Sequence, residues 1–311
     1  MQRADHALLI GFGGPERPEE VRPFLEQFTR GTRIPEERLR EVEFHYRVTG
    51  GFSPYNSHAR RLFGKLKEQL EIPLFLGMRN WKPFLADTLR GIVDRGLRSG
   101  LAVVLAPHRS EASFGRYLES LQSAVREAGV PVEYRTLPPW HDHPGFVGAQ
   151  AQRIRPLWGD GAGKHLLFTA HSIPLEIAKA SSYVEEIEAS GRAVAGVVGA
   201  ARWSVAYQSR SGPPGQPWLE PDIRAEIRRL KTDGVRAIVA APVGFLFDHT
   251  EVLYDLDVEA KQVAGQEGLL FLRAPTVMDH PQFVRMFAEL IQKQVQLVPG
   301  TGVPGTTGAE R

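Results

Sequence analysis

His165-Leu166-Leu167-Phe168-Thr169-Ala170 runs directly into His171-Ser172-Ile173-Pro174. The first six residues are apolar with little interruption and do not alternate with polar ones, the pattern of a strand covered on both faces within a parallel sheet. Polar residues arrive together at the carboxyl end of the run, and a proline closes it. In open α/β sheets ligands bind beyond the carboxyl ends of the strands. These ten residues therefore predict both an architecture and a place for chemistry.

Seven more runs of the same kind occupy residues 7–11, 73–77, 101–106, 132–137, 203–208, 237–243 and 269–272. Between them, segments with helical periodicity cover 18–29, 36–48, 57–70, 83–99, 114–128, 144–157, 221–232, 251–264 and 281–295. Pro18 precedes two glutamates, and Pro221-Asp222 opens another segment, both good helix starts. Gly100, Gly129 and Gly234 stand where C-terminal glycines are expected. Strand–helix alternation predicts α/β architecture with parallel sheets. Four strands precede Pro139 and four follow Lys164, which predicts two doubly wound, Rossmann-like halves, residues 1–145 and 146–297, facing a central cleft. The Gly-, Thr- and Pro-rich end, 298–311, reads as a flexible tail.

Composition narrows the function. Of 311 residues, 42% are hydrophobic and 24% charged, ordinary for a soluble globular chain. A net charge of +2 gives no global field to gather nucleic acid. The absence of cysteine removes a disulfide scaffold, a thiolate zinc site, a cysteine-held iron–sulfur cluster and a thiol nucleophile. The apolar run 7–10 is too short for a signal-peptide core, and no stretch reaches the ~20 apolar residues of a membrane span, so a cytoplasmic location is expected.

Several residues at the predicted ligand end stand out. His171 follows its strand directly, where it faces the cleft; the plainer alternative is a structural histidine bonded to a neighbouring carbonyl. Glu251, Asp255 and Glu259 recur at i, i+4 and i+8, which stacks three carboxylates on one helical face; either that face is solvated or a cation visits it. Gly11-Phe12-Gly13-Gly14-Pro15 lacks phosphate-binding spacings, and Pro15 lacks an N–H, so it fits close approach of backbone to a flat ligand better than a nucleotide. Trp218, in a proline-rich loop, reads as a loop anchor or as a flat wall of an apolar pocket. Arg30, Arg33, Arg79, Arg109 and Arg116 are candidates to meet carboxylates.

Taken together these residues resemble the ferrochelatase family. Thr169-Ala170-His171-Ser172-Ile173-Pro174 is similar to its S-A-H-S-[LI]-P signature, and the stretch from Asp248 to Asp257 to its D-H-x-E-x-L-Y-D/E-x-D signature. Gly50-Gly51-Phe52-Ser53-Pro54, Gln208-Ser209 and Pro217-Trp218-Leu219-Glu220-Pro221 match in the family's order, so the resemblance spans about residues 7–295. It implies two Rossmann-like domains around a porphyrin cleft and insertion of Fe²⁺, as substrate, with no permanently bound cofactor. It implies His171 and Glu251 as the metal-handling pair, with Asp255 and Glu259 lining a path to them. By resemblance to coproporphyrin-type bacterial enzymes, Tyr46, Ser53 and Tyr117 contact propionates, with Arg30 nearby. In those enzymes an arginine stands in place of His45, another in place of Thr29, and an iron-ligating tyrosine in place of Phe12. A haem-accepting or porphyrin-delivering enzyme is the expected partner. Rival readings are a cobalt or corrin-precursor chelatase of the same fold, a non-catalytic haem or porphyrin carrier, and a dinucleotide enzyme.

Overall fold

The computed structural model describes residues 3–297 apart from 32–33, 130–131 and 212–214; Arg33 and the tail expected at 298–311 lie outside the described residues. Strands β1 (His6–Gly11), β2 (Leu74–Met78), β3 (Ser99–Val104) and β4 (Glu133–Thr136) form one sheet in the order β2-β1-β3-β4. Strands β5 (Lys164–His171), β6 (Trp203–Gln208), β7 (Ala237–Ala241) and β8 (Leu270–Arg273) form a second in the order β6-β5-β7-β8. Every pairing is parallel. Each sheet grows first to one side of its central strand and then to the other. This leaves a crevice beyond the carboxyl ends of β1 and β3, and another beyond β5 and β7.

The helices are α1 (Pro18–Phe28), α2 (Glu36–Val48), α3 (Tyr55–Lys67), α4 (Leu85–Asp94), α5 (Arg116–Ala128), α6 (Pro144–Trp158), α7 (Leu175–Lys179), α8 (Tyr183–Val198), α9 (Ile223–Thr232), α10 (Thr250–Val252), α11 (Lys261–Gln266) and α12 (Pro281–Gln296). The expected starts hold: Pro18 occupies the first turn of α1, and the Asp222 carboxylate accepts from the Arg224 N–H at 2.9 Å to cap α9. A His-Pro pair starts both α6 and α12, with His143 and His280 accepting from the N–H two residues on.

Four departures have physical causes. Gly100 does not cap a helix; it lies inside β3, where a Cβ would stand 2.2 Å from the Tyr134 ring. The helix expected over 83–99 ends instead at Asp94, with Gly96 at φ 77°. Helices α7 and α8 fall where the sequence pattern predicts none. Finally, the helix expected over 251–264 is α-helical only at its ends; Leu253–Ala260 is a π-helix, with i→i+5 bonds that widen the turn.

The first sheet is covered on one face by α4 and α5, and on the other by α3 and α12. Helix α12 thus leaves its own half and packs beside Leu9 and Val103. Its Phe283, Val284, Phe287, Ile291 and Val295 are each at most 1% exposed, a gross hydrophobic gain of roughly 2 kcal/mol apiece. The division at residues 145 and 146 therefore separates two sheets, while the core over the first sheet draws on both parts of the chain. No helix among the described residues is long and apolar enough to cross a membrane.

Candidate active site

The second crevice brings together the end of β5 and the segment after β7. His171 is the last residue of β5 and pairs in register with Gln208 on β6. Its Nδ1 lies 2.5 Å from the Ser172 carbonyl oxygen. A carbonyl only accepts, so Nδ1 carries the proton and Nε2 is left with a free lone pair in the neutral ring. The structural alternative, a histidine bonded to a neighbouring carbonyl, is thus met by one nitrogen and leaves the other available. That Nε2 faces Glu251, 3.9 Å from Oε1. His171 is 31% exposed and Glu251 53%, so both are accessible from solvent. The second Glu251 oxygen is 3.9 Å from His249 Nδ1. Among the described residues neither carboxylate oxygen accepts a hydrogen bond, so Glu251 stands between two imidazoles with its lone pairs free. A 3.9 Å separation of nitrogen and oxygen is one that a divalent ion bonded to each at ~2.1 Å can span.

Nothing in the sequence pattern singles out His249 except its position two residues before Glu251. Burial lowers its pKa, opposed by the charges of Glu251 and Asp248. The loop that carries it is pinned from below. Arg273 on β8 donates to Asp248 at 3.1 Å and to Asp257 at 2.7 Å, and the Thr276 N–H donates to Asp248 at 3.2 Å.

Asp255 follows in the π-helix. It accepts from the Ser209 hydroxyl and from Gln208 Nε2, the latter at 3.3 Å. Burial pushes its pKa up to about 7; the Ser209 bond opposes this, and the charges of Glu251 and Glu259 add to it. Ser209 holds φ at 62°, a left-handed conformation uncommon for a residue with a side chain, and worth noting where strain and function coincide. Glu259 is half-buried, and its charge acts on Asp255, Tyr254 and Arg224. The three carboxylates read from the sequence therefore share one electrostatic environment. Among the described residues no three of His, Asp or Glu are placed to hold one ion together.

The first half supplies the opposite wall. Phe12 is half-buried, packs on Phe28 and Tyr55, and donates its N–H to the Tyr55 hydroxyl at 2.8 Å. Gly13 at φ 85° leaves no room for a Cβ beside Met78 and Trp81, which makes this turn a close backbone approach. Ser53 is buried and accepts from the Tyr55 N–H at 3.4 Å. Tyr117 is buried beside Tyr55 with the Arg79 guanidinium 5.9 Å over its ring, and burial raises its pKa well above the ordinary phenol value. Arg30 is exposed just beyond α1. Tyr46 is buried, and burial first and the Glu251 charge second raise its pKa, so the first half reaches Glu251. Its neighbour His45 stacks on Tyr254 with ring centroids 3.6 Å apart and planes at 14°, a direct contact between the halves. Trp218 is half-buried; its backbone pairs with Pro174 and the Leu219 N–H donates to Ile173, which lays this loop along the segment after His171.

Paired four-stranded parallel sheets with chemistry at their carboxyl ends define a chelatase-type architecture. SirB from Bacillus subtilis with Fe³⁺ shares it at TM-score 0.62 and 11% identity, over 94% of this chain and 96% of that one. CbiX, the terminal enzyme for siroheme biosynthesis in denitrifying bacteria, does so at TM-score 0.53 and 15% identity, over 93% and 98%. Sequence then narrows the class. The family model for ferrochelatase matches residues 6–295. A ferrochelatase of Rhodopirellula baltica is 38% identical over 94% of this chain and 86% of its own, and a coproporphyrin III ferrochelatase of Mycolicibacterium paratuberculosis is 40% identical over 93% and 88%. The chain belongs to the ferrochelatase family, and is a porphyrin-metallating lyase of haem biosynthesis. The cobalt-chelatase, carrier and dinucleotide readings are not favoured.

Proposed function

We propose that the protein inserts Fe²⁺ into coproporphyrin III, with His171 Nε2 as proton acceptor and Glu251 as the last carboxylate to hold the metal. The observation that carries this is the free Nε2 lone pair of His171 facing an unbonded Glu251 carboxylate at 3.9 Å. As the ion enters, two pyrrole N–H bonds break and four N–Fe bonds form, so two protons leave, passing in turn through His171 Nε2 to solvent, and no redox partner is needed. A neutral imidazole is suited to take such protons near neutral pH. Imidazole and carboxylate also suit ferrous iron. Asp255 and Glu259 lead from solvent toward Glu251. Phe12, Ser53, Tyr46, Tyr117, Arg30 and Trp218 line the space for the macrocycle and its carboxylates. The coproporphyrin relatives support the choice of substrate. A cytoplasmic location and a haem-accepting partner enzyme accompany this reading. Anaerobic incubation with Fe²⁺ and either coproporphyrin III or protoporphyrin IX, followed by absorbance, tests it: faster metallation of coproporphyrin III is expected, and preference for protoporphyrin IX overturns the substrate assignment. His171→Ala is expected to abolish insertion while porphyrin still quenches tryptophan fluorescence; substantial residual turnover overturns the role of His171.

A further inference from the structure

Helix α8 carries a row of polar side chains that the reaction does not use. Tyr183, Glu186 and Ser190 recur at helical spacing, and all three are buried. Each is bonded to a different part of the molecule. The Tyr183 hydroxyl donates to the main-chain carbonyl of His171 at 2.9 Å. Glu186 accepts four bonds: from the Arg109 N–H at 2.8 Å, from Arg109 Nε at 2.7 Å, from Arg109 Nη2 at 2.6 Å, and from the Ser182 hydroxyl at 2.7 Å. The Ser190 hydroxyl donates to the His141 carbonyl at 2.8 Å, so it accepts from His108 Nε2 at 2.9 Å.

His108 and Arg109 belong to the loop after β3, in the first half. One face of α8 is therefore fixed at one end to the main chain of His171 and along its length to the loop at the mouth of the opposite crevice. Arg109, a candidate carboxylate ligand from sequence, has its guanidinium on Glu186. A planar fork with two donors on one carboxylate fixes orientation as well as distance. His108 is fully buried, and burial lowers its pKa to about 3, so it serves as a neutral donor.

We infer that Arg109, Glu186 and Tyr183 are positioning residues: they fix α8, and through it the main chain of His171, relative to the half that grips the macrocycle. The inference rests on His171 being the reacting base. The geometry matters because the reacting nitrogen lies on one half and most of the macrocycle's contacts on the other. A displacement of about 1 Å between them costs rate without weakening the grip.

The test compares Tyr183→Phe, Arg109→Ala and the double variant by kcat, porphyrin KM and the ring resonances of His171 in histidine-labelled protein. Each single change is expected to lower kcat by roughly tenfold with porphyrin KM within about twofold. The double variant is expected to be no slower than the slower single one, because both act through the same helix. His171 ring resonances are expected to move in Arg109→Ala although Arg109 does not touch that ring. A raised porphyrin KM at unchanged kcat in Arg109→Ala makes Arg109 a substrate ligand and overturns the inference, as do losses that multiply. Tyr183→Phe removes a single hydroxyl, so it reports even if Arg109→Ala fails to fold. Wild-type protein inactive on both porphyrins would defeat the proposed function alone; the resonances still decide the inference, and unmoved resonances in both single variants overturn it.

Discussion

Replacing Asp255 by asparagine is expected to make the protein more stable and less active, and pH separates the two effects. Burial raises the Asp255 pKa from 3.8 to about 7 in the folded protein. Between these values the native state holds a proton that the unfolded chain releases, so unfolding free energy falls as pH rises from about 4 to about 7. A difference of about 3 units corresponds to roughly 4 kcal/mol at most above pH 7. Solvent reaches the partly open side of Asp255 and screens some of this. Both bonds to Asp255 end on Oδ2, so the asparagine oxygen can accept both, but as an uncharged and weaker acceptor, at a cost of about 1 kcal/mol. The net gain at pH 8 is about 2 kcal/mol, or roughly 3 °C in Tm for a chain of this length. Thermal unfolding should be followed from pH 4 to 8 with a chelator present, so that no bound cation offsets the carboxylate. The gain should be largest above pH 7, shrink as pH falls, and vanish near pH 4. A Tm difference that does not change across this range, or a loss at pH 8, refutes the argument that Asp255 is held as a costly, desolvated acid.

Arg273→Met should destabilise by about 3 kcal/mol in urea unfolding, because it strands Asp248 in the interior without its cation. Adding Asp248→Asn should recover most of that loss; no recovery would mean that the arginine acts through packing alone. Gly100→Ala places a methyl group 2.2 Å from the Tyr134 ring and 2.6 Å from His6 Nε2. It should cost about 3 kcal/mol by thermal unfolding, and a neutral effect would show that β4 yields easily.

The central strands were legible because parallel strands buried on both faces leave continuous apolar runs, as at 165–170 and 237–243, whereas the edge strand β4, with Glu133 and Thr136 exposed, was marked by the buried Val132 and Leu137 that flank it. His171 was legible because it ends such a run, and Glu251 because it opens the row of carboxylates at i, i+4 and i+8 beyond the loop after β7. Helix α8 was not. Its stripe is interrupted by Gly191, which faces Phe168 across a gap that leaves no easy room for a Cβ, and close packing against β5 replaces the usual large apolar residue. The π-helix at 253–260 was also hidden, since Val252, Leu256 and Ala260 recur at four-residue intervals that suit either helix. The environments of Tyr46 and Tyr117, and the stacking of His45 on Tyr254, depend on residues distant in the chain and leave no local mark.

The placement of α12 against the first sheet constrains how this polypeptide matures on the ribosome. Residues 6–136 hold every strand of that sheet, yet the face that α3 covers in part stays incomplete until residues 281–296 emerge. At ordinary elongation rates of about 5–20 residues per second, that interval lasts roughly 7–30 s. Through it a greasy surface must be sheltered, by a chaperone or by provisional self-association. Nascent chains arrested near residue 250 should accordingly be cut readily by protease within their first 136 residues, and chains released after residue 297 should resist.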